Sequence, residues 1–206
     1  MNRKLAVIGL VGAALTTLSG LAVEVLVKPA SDVSDTMWSY PWSSDAIVPV
    51  SILYAGFHLL VLFGMLAVVR AMGSRGGRIG AMLAVAGTFV LLVAEIASIP
   101  IADQRLDDTG PKIVGPVFGL GVALTAVGLL IAGAAVLRSA DWTGWRRYAP
   151  LAAGIWSFLL IGVSVTSALA LGVAIYGVTL CVLFAAVYPH QSTASTEPRL
   201  RARVDH

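Results

Sequence analysis

What most constrains this chain is a succession of apolar segments, each close to the ~20 residues a helix needs to cross a bilayer. They fall at about 5–27, 47–69, 79–100, 113–137, 149–166 and 169–188. Only 12% of the 206 residues are charged, whereas 58% are hydrophobic. Soluble domains carry about 25% charged residues, so the bilayer is the natural solvent for this chain. Backbone groups in lipid must be satisfied within the segment, which leaves helices as the spanning element for runs of this length. The expected fold is therefore all-α, a polytopic membrane bundle of six transmembrane helices within residues 1–189. Residues 149–188 form one apolar block, too long for a single span. Ser164, Thr166, Ser167 and Gly172 mark where it is expected to turn. Residues 190–206, rich in Ser, Thr, Pro and Arg, are expected to form a disordered cytoplasmic tail.

The charges orient the bundle. With the N-terminus in the cytoplasm, the inner loops and tail hold Arg3, Lys4, Arg70, Arg75, Arg78, Arg138, Arg146, Arg147, Arg199, Arg201 and Arg203. The outer side holds only Lys28, Arg105 and Lys112, together with Asp32, Asp35, Asp45, Asp103, Asp107 and Asp108. Such an excess of inner cations is the positive-inside pattern of a plasma-membrane protein with both termini cytoplasmic. Trp142, Trp145 and Tyr148 at the inner boundary read as an aromatic belt, as do Trp38, Tyr40 and Trp42 in the first outer loop. Arg3, Lys4 and Gly20-Leu21-Ala22 resemble parts of a signal peptide. The apolar run is longer than the ~7–15 residues of a signal h-region, so the first helix is expected to be retained.

An internal repeat is expected as well. At an offset of 71 residues Gly9 falls on Gly80, Thr17 on Thr88, Glu24 on Glu95, Pro29 on Pro100 and Asp32 on Asp103. After a shorter second outer loop the offset is 67, which aligns Pro49 with Pro116. The repeating unit is a two-helix hairpin. Because it contains an even number of spans, its copies run parallel about an axis along the membrane normal. Gly76-x3-Gly80 and Gly115-x3-Gly119 read as close-packing motifs of membrane helices.

Several function classes lose support at once. There is no Walker A loop, dinucleotide fingerprint or His-Glu-x-x-His, so no cofactor or metal is expected. The single Cys181 makes no intramolecular disulfide. No basic stripe interleaved with aromatics suggests nucleic acid. The expected partners are membrane lipid and a small hydrophobic molecule.

Glu24 and Glu95 are the candidate proton donors, since a carboxylate within a span costs a few kcal/mol unless it meets a polar interior. If the repeat holds, they lie at one depth near the outer surface and line a shared pocket, or they pair with Lys28 and Arg105. His58 is the only histidine inside a span, and Tyr54 stands one turn away on the same face. Either His58 is a hydrogen-bonded interior residue or it ends a proton relay from a glutamate through Tyr54. Trp38, Tyr40 and Trp42, with Pro41 between them, serve either as an interfacial anchor or as a lid whose rings contact a ligand.

With Glu24, Pro29 and the 38–45 segment in view, the chain resembles small six-span integral membrane proteins of actinobacteria. More distantly, it resembles DUF998-type membrane proteins in size, span count and a polar loop after the first helix. That resemblance implies the fold and no activity. A further likeness, of architecture, is to small integral-membrane terpene cyclases. It implies protonation of a prenyl chain by carboxylates near one membrane face, with Glu24 and Glu95 the residues to carry it. The leading expectation is a protein that binds a hydrophobic or lipid-like molecule in an outward-facing pocket. An acid-catalysed isoprenoid cyclase and a proton-coupled transporter are the alternatives.

Overall fold

The computed structural model describes residues 2–139 and 142–188. Among these, the chain forms helices α1 (Asn2–Ala22), α2 (Ser44–Ala71), α3 (Arg75–Ser98), α4 (Thr109–Ser139), α5 (Ala149–Val163) and α6 (Leu169–Val187). The architecture is all-α, as its composition requires. Five stretches are long and apolar enough to cross a membrane: Asn2–Ala30, Ser44–Ala71, Arg75–Ile101, Thr109–Ser139 and Leu169–Val187. α5 is the exception. Its 15 residues rise about 22 Å, short of a ~30 Å hydrocarbon core. A 3-10 turn at Gly144–Tyr148 feeds directly into it. The expected tail at 190–206 lies outside the described residues.

Each helix packs on its neighbours in sequence, and α6 closes back on α1. The result is a ring in which α1 and α3 both lie against α2, with a lesser contact between α2 and α6. One end collects the chain start, Ala71, Arg75, Ser139 and Val187. Hydrogen bonding of Arg70 to Asn2 and stacking of Arg3 on Tyr188 tie that end together. The core fills this half of the bundle, with Val61, Met65 and Val68 of α2, Leu129 and Val136 of α4, and Leu180, Leu183 and Phe184 of α6. Trp142 seals it: the side chain is 2% exposed and its indole N–H donates to the Ala71 carbonyl. Trp142 is thus a plug and not a belt residue, whereas Trp145 and Tyr148 are exposed.

Glycines set the closest approaches, at a spacing the sequence motifs did not suggest. A Cβ on Gly80 would stand 2.6 Å from the Ala132 nitrogen, and one on Gly128 would stand 2.5 Å from that of Ala84. Gly87 meets Thr125 and Gly121 meets Leu91 in the same way. The α3–α4 seam therefore runs on Gly80 and Gly87 against Gly121 and Gly128, spaced by seven. Gly76, Gly115 and Gly119 face open space. The α1–α6 seam that closes the ring is built alike, with Gly20 on Ala170 and Ala174, and Gly177 on Ala13 and Thr17.

At the other end, Pro29 and Pro100 each sit in a one-turn 3-10 segment, Lys28–Ala30 and Ile99–Ile101, that ends a long helical run. Pro49 and Pro116 both lie inside a helix, α2 and α4, near its start. The 149–188 block breaks over 164–168. There the Ser164 and Thr166 hydroxyls donate to the Ile161 and Val163 carbonyls, and the Ala168 amide donates to Thr166 Oγ1. These side chains satisfy backbone groups that the helix end leaves open. Gly172 lies beyond the turn, inside α6, where it packs on Leu160 and Val163.

Candidate functional site

The interior faces of α2 and α3 follow the alternating three- and four-residue spacing of packed helices. On α2 the stripe is Ile47, Ser51, Tyr54, His58, Val61, Met65 and Val68. Every member is buried except Tyr54 and His58. On α3 it is Ala81, Ala84, Thr88, Leu91, Glu95 and Ser98, and every member is buried except Glu95. The interruptions coincide. His58 Nδ1 stands 3.7 Å from Glu95 Oε1, with side-chain exposures of 20% and 13%. A sealed apolar interior thus opens locally around one imidazole and one carboxyl.

The chemistry of the pair follows from its hydrogen bonds. His58 Nδ1 also lies 3.0 Å from the Tyr54 carbonyl, one turn back. A carbonyl only accepts, so Nδ1 carries the hydrogen and the free lone pair of the neutral ring is on Nε2. The Tyr54 phenol lies near Trp42 of the first loop, Ser19 of α1 and Glu95. The Ser19 hydroxyl donates to the Thr16 carbonyl. Polar side chains of the first loop, α1 and α2 thus gather beside Glu95.

That loop folds over the same end. The Trp38 amide donates to the Gln104 carbonyl and the Leu106 amide to the Thr36 carbonyl, both at 2.9 Å, so the two long loops are joined edge to edge. The Trp38 ring packs on Phe118 of α4, with centroids 6.3 Å apart. Ser31 Oγ donates to the Pro41 carbonyl, and Ser39 is 2% exposed. Trp38, Tyr40 and Trp42 are all half-buried. The segment caps the second outer loop and the start of α4. Tyr40 takes part through its backbone amide, which donates to the Met37 carbonyl.

Glu24 turns elsewhere. It lies in a π-helical turn, Val23–Val27, that widens the end of α1. Lys28 Nζ donates to both of its carboxylate oxygens, at 2.9 and 3.0 Å, and also to the Ser167 carbonyl in the α5–α6 turn. Glu95 faces His58 and Glu24 faces Lys28, so the two carboxylates sit in different settings. Arg105, the other expected partner, pairs with Asp107 at 3.6 Å.

Three participants were not singled out in the sequence. Phe118 and Ser19 carry no local signal, because their roles come from contacts with distant loops and helices. The third, Tyr176, has a hydroxyl buried without a hydrogen-bond partner among the described residues. Gly177 packs on Ala13 and Thr17, and Gly12 packs on Phe57 and Val61, which puts Tyr176 near the level of His58. The described residues form an open hollow at each end of the bundle: about 350 Å³ at Asp35, Thr36 and Arg105–Asp107, and about 660 Å³ at Gly73–Met82. No three His, Cys, Asp or Glu among the described residues are grouped to hold a metal.

The sequence matches no family model, and neither a curated protein nor a solved structure matches it.

Proposed function

We propose that this is a plasma-membrane protein that binds a small hydrophobic or lipid-like molecule through a polar head held at Glu95 and His58, beneath the 31–43 loop. The observation that carries this reading is the Glu95–His58 pair on facing interior stripes, at the point where both stripes lose burial. Charged groups within a membrane bundle are costly and by default mark function. The unpartnered Tyr176 hydroxyl supplies a further donor at that depth. Buried polar groups are nearly always satisfied, so such a donor suits a ligand acceptor. Trp38 and Trp42 give the cap an apolar underside. Glu24, held by Lys28, fastens α1 to the α5–α6 turn.

Six spans complete the proposed architecture, with both termini cytoplasmic. The residues flanking α5 lie at opposite ends of the bundle: Trp142 seals against Ala71, and Ser167 meets Lys28. This supports a sixth crossing by α5 despite its length. The repeated placement of Pro29 with Pro100, and of Pro49 with Pro116, favours a duplicated hairpin.

Native mass spectrometry of the gently solubilised protein tests the ligand reading. Wild type and Glu24→Gln are expected to retain a discrete small mass, whereas Glu95→Gln and His58→Gln lose it. Equal retention by all four, or none in wild type, overturns it. A second reading, proton-coupled transport, draws on the same pair, because a carboxyl beside an imidazole can pass a proton. Flux driven by a pH gradient in proteoliposomes, abolished by Glu95→Gln, would establish it. The cyclase reading needs a carboxyl donor over a dry cavity, and no observation favours it further.

A further inference from the structure

An open hollow of about 660 Å³ lies at the opposite end from Glu95, lined by Gly73, Arg75, Arg78, Ile79 and Met82. Arg78 is fixed over the α2–α3 turn by donating to the Met72 carbonyl. Arg75, Ile79 and Met82 follow at i, i+4 and i+7 along one face of α3. Ile79 is 57% exposed and Met82 50%, on a helix long and apolar enough to cross a membrane. The face therefore presents cations at its end and apolar side chains on the next two turns, about 10 Å further along the helix. A phospholipid lying against the helix presents its groups in the same order.

The charge balance points the same way. Arg75 and Arg78 are three residues apart on one helix and repel each other. Lys4, Arg70, Arg138, Arg146 and Arg147 share this end, and among the described residues none there carries a carboxylate. An anion bound at the hollow would offset the repulsion between Arg75 and Arg78. We propose that the hollow at Arg75 and Arg78 is a binding site for the phosphate headgroup of an anionic phospholipid of the surrounding bilayer, whose acyl chain runs along Ile79 and Met82. Basic pockets beside membrane helices take anionic headgroups in this way. The site is separate from Glu95 and His58 and rests only on α3 lying in a membrane.

The full chain in mild detergent, incubated with equal amounts of phosphatidylglycerol and phosphatidylcholine, provides the test by native mass spectrometry. Wild type is expected to retain phosphatidylglycerol selectively. Arg75→Gln with Arg78→Gln is expected to weaken retention roughly thirty-fold, the size set by two arginines at an anionic surface. Arg138→Gln, which removes a charge at the same end, should leave retention unchanged. Arg75→Lys with Arg78→Lys, which keeps both charges, should hold it within a few-fold and so guards against a folding defect. Undiminished retention by the Gln pair overturns the site. So do a loss as large in Arg138→Gln and a wild type that takes both lipids equally. Displacement of the lipid by millimolar inorganic phosphate overturns the lipid assignment in favour of a free-phosphate site.

Discussion

At the scale of single residues, the two glutamates separate by their partners. Glu95 lies between helices with one imidazole beside it, and removing His58 leaves a carboxyl in an apolar interior without that partner. His58→Ala is expected to cost about 1–3 kcal/mol. A double-mutant cycle of His58→Ala and Glu95→Gln should show a coupling of at least ~0.5 kcal/mol, read from thermal unfolding of the solubilised protein. Additive losses would mean that the 3.7 Å approach carries no energy. Glu24 and Lys28 are more open, with side-chain exposures of 30% and 17%. Solvent screens such a pair, so Glu24→Gln should cost under ~1 kcal/mol in the same assay. The glutamates stand at equivalent positions of the expected repeat, but the sequence did not reveal this difference. Lys28 is a local i+4 partner, legible from spacing alone, whereas His58 reaches Glu95 from another helix.

At the scale of elements, helix existence was legible and helix contact was not. Apolar length fixed five long helical runs, and the polar residues 164–167 located the break between α5 and α6. Their hydroxyls do end the helix by hydrogen bonding. Which glycines touch was misread. The x3 spacing of Gly76 with Gly80 and of Gly115 with Gly119 suggested seams, yet three of those four face open space. A glycine motif gives no rotation of its helix about the axis. That rotation is set by the heptad-spaced stripes of Ala84, Thr88 and Leu91 on α3 and of Thr125, Leu129 and Ala132 on α4, all buried. Paired substitutions expose the distinction. Gly80→Ala places a Cβ 2.6 Å from backbone and should lose about 1–3 kcal/mol by overpacking. Gly119→Ala meets nothing within 4 Å and should gain up to ~1 kcal/mol from helix propensity. Equal melting shifts for the two would mean that the α3–α4 seam is not where these contacts put it.

At the scale of the whole molecule, two asymmetries run along the same axis. The core and most cations gather at the end where the chain starts, while the joined loops, Asp32, Asp35, Asp103, Asp107 and Asp108 gather at the other. The charge asymmetry was readable in sequence because loop residues are few and their sides alternate with each helix. The packing asymmetry was not, since α1–α4 are similarly apolar along their lengths, and only the ring closure shows which half is filled. Together they give the molecule a tight, basic half and a looser half that holds Glu95, His58 and the cap. The positive-inside pattern predicts that the looser half faces outward. Single cysteines in a Cys181→Ser background check this in intact cells with a membrane-impermeant maleimide. Asp35→Cys and Thr166→Cys are expected to react from outside, and Arg147→Cys only after permeabilisation. Reaction of Arg147→Cys alone would invert the molecule and place Glu95 toward the cytoplasm. Reaction of Asp35→Cys without Thr166→Cys would mean that the 15-residue α5 does not cross. In that case Lys28 could not tie α1 to the α5–α6 turn as the ring requires.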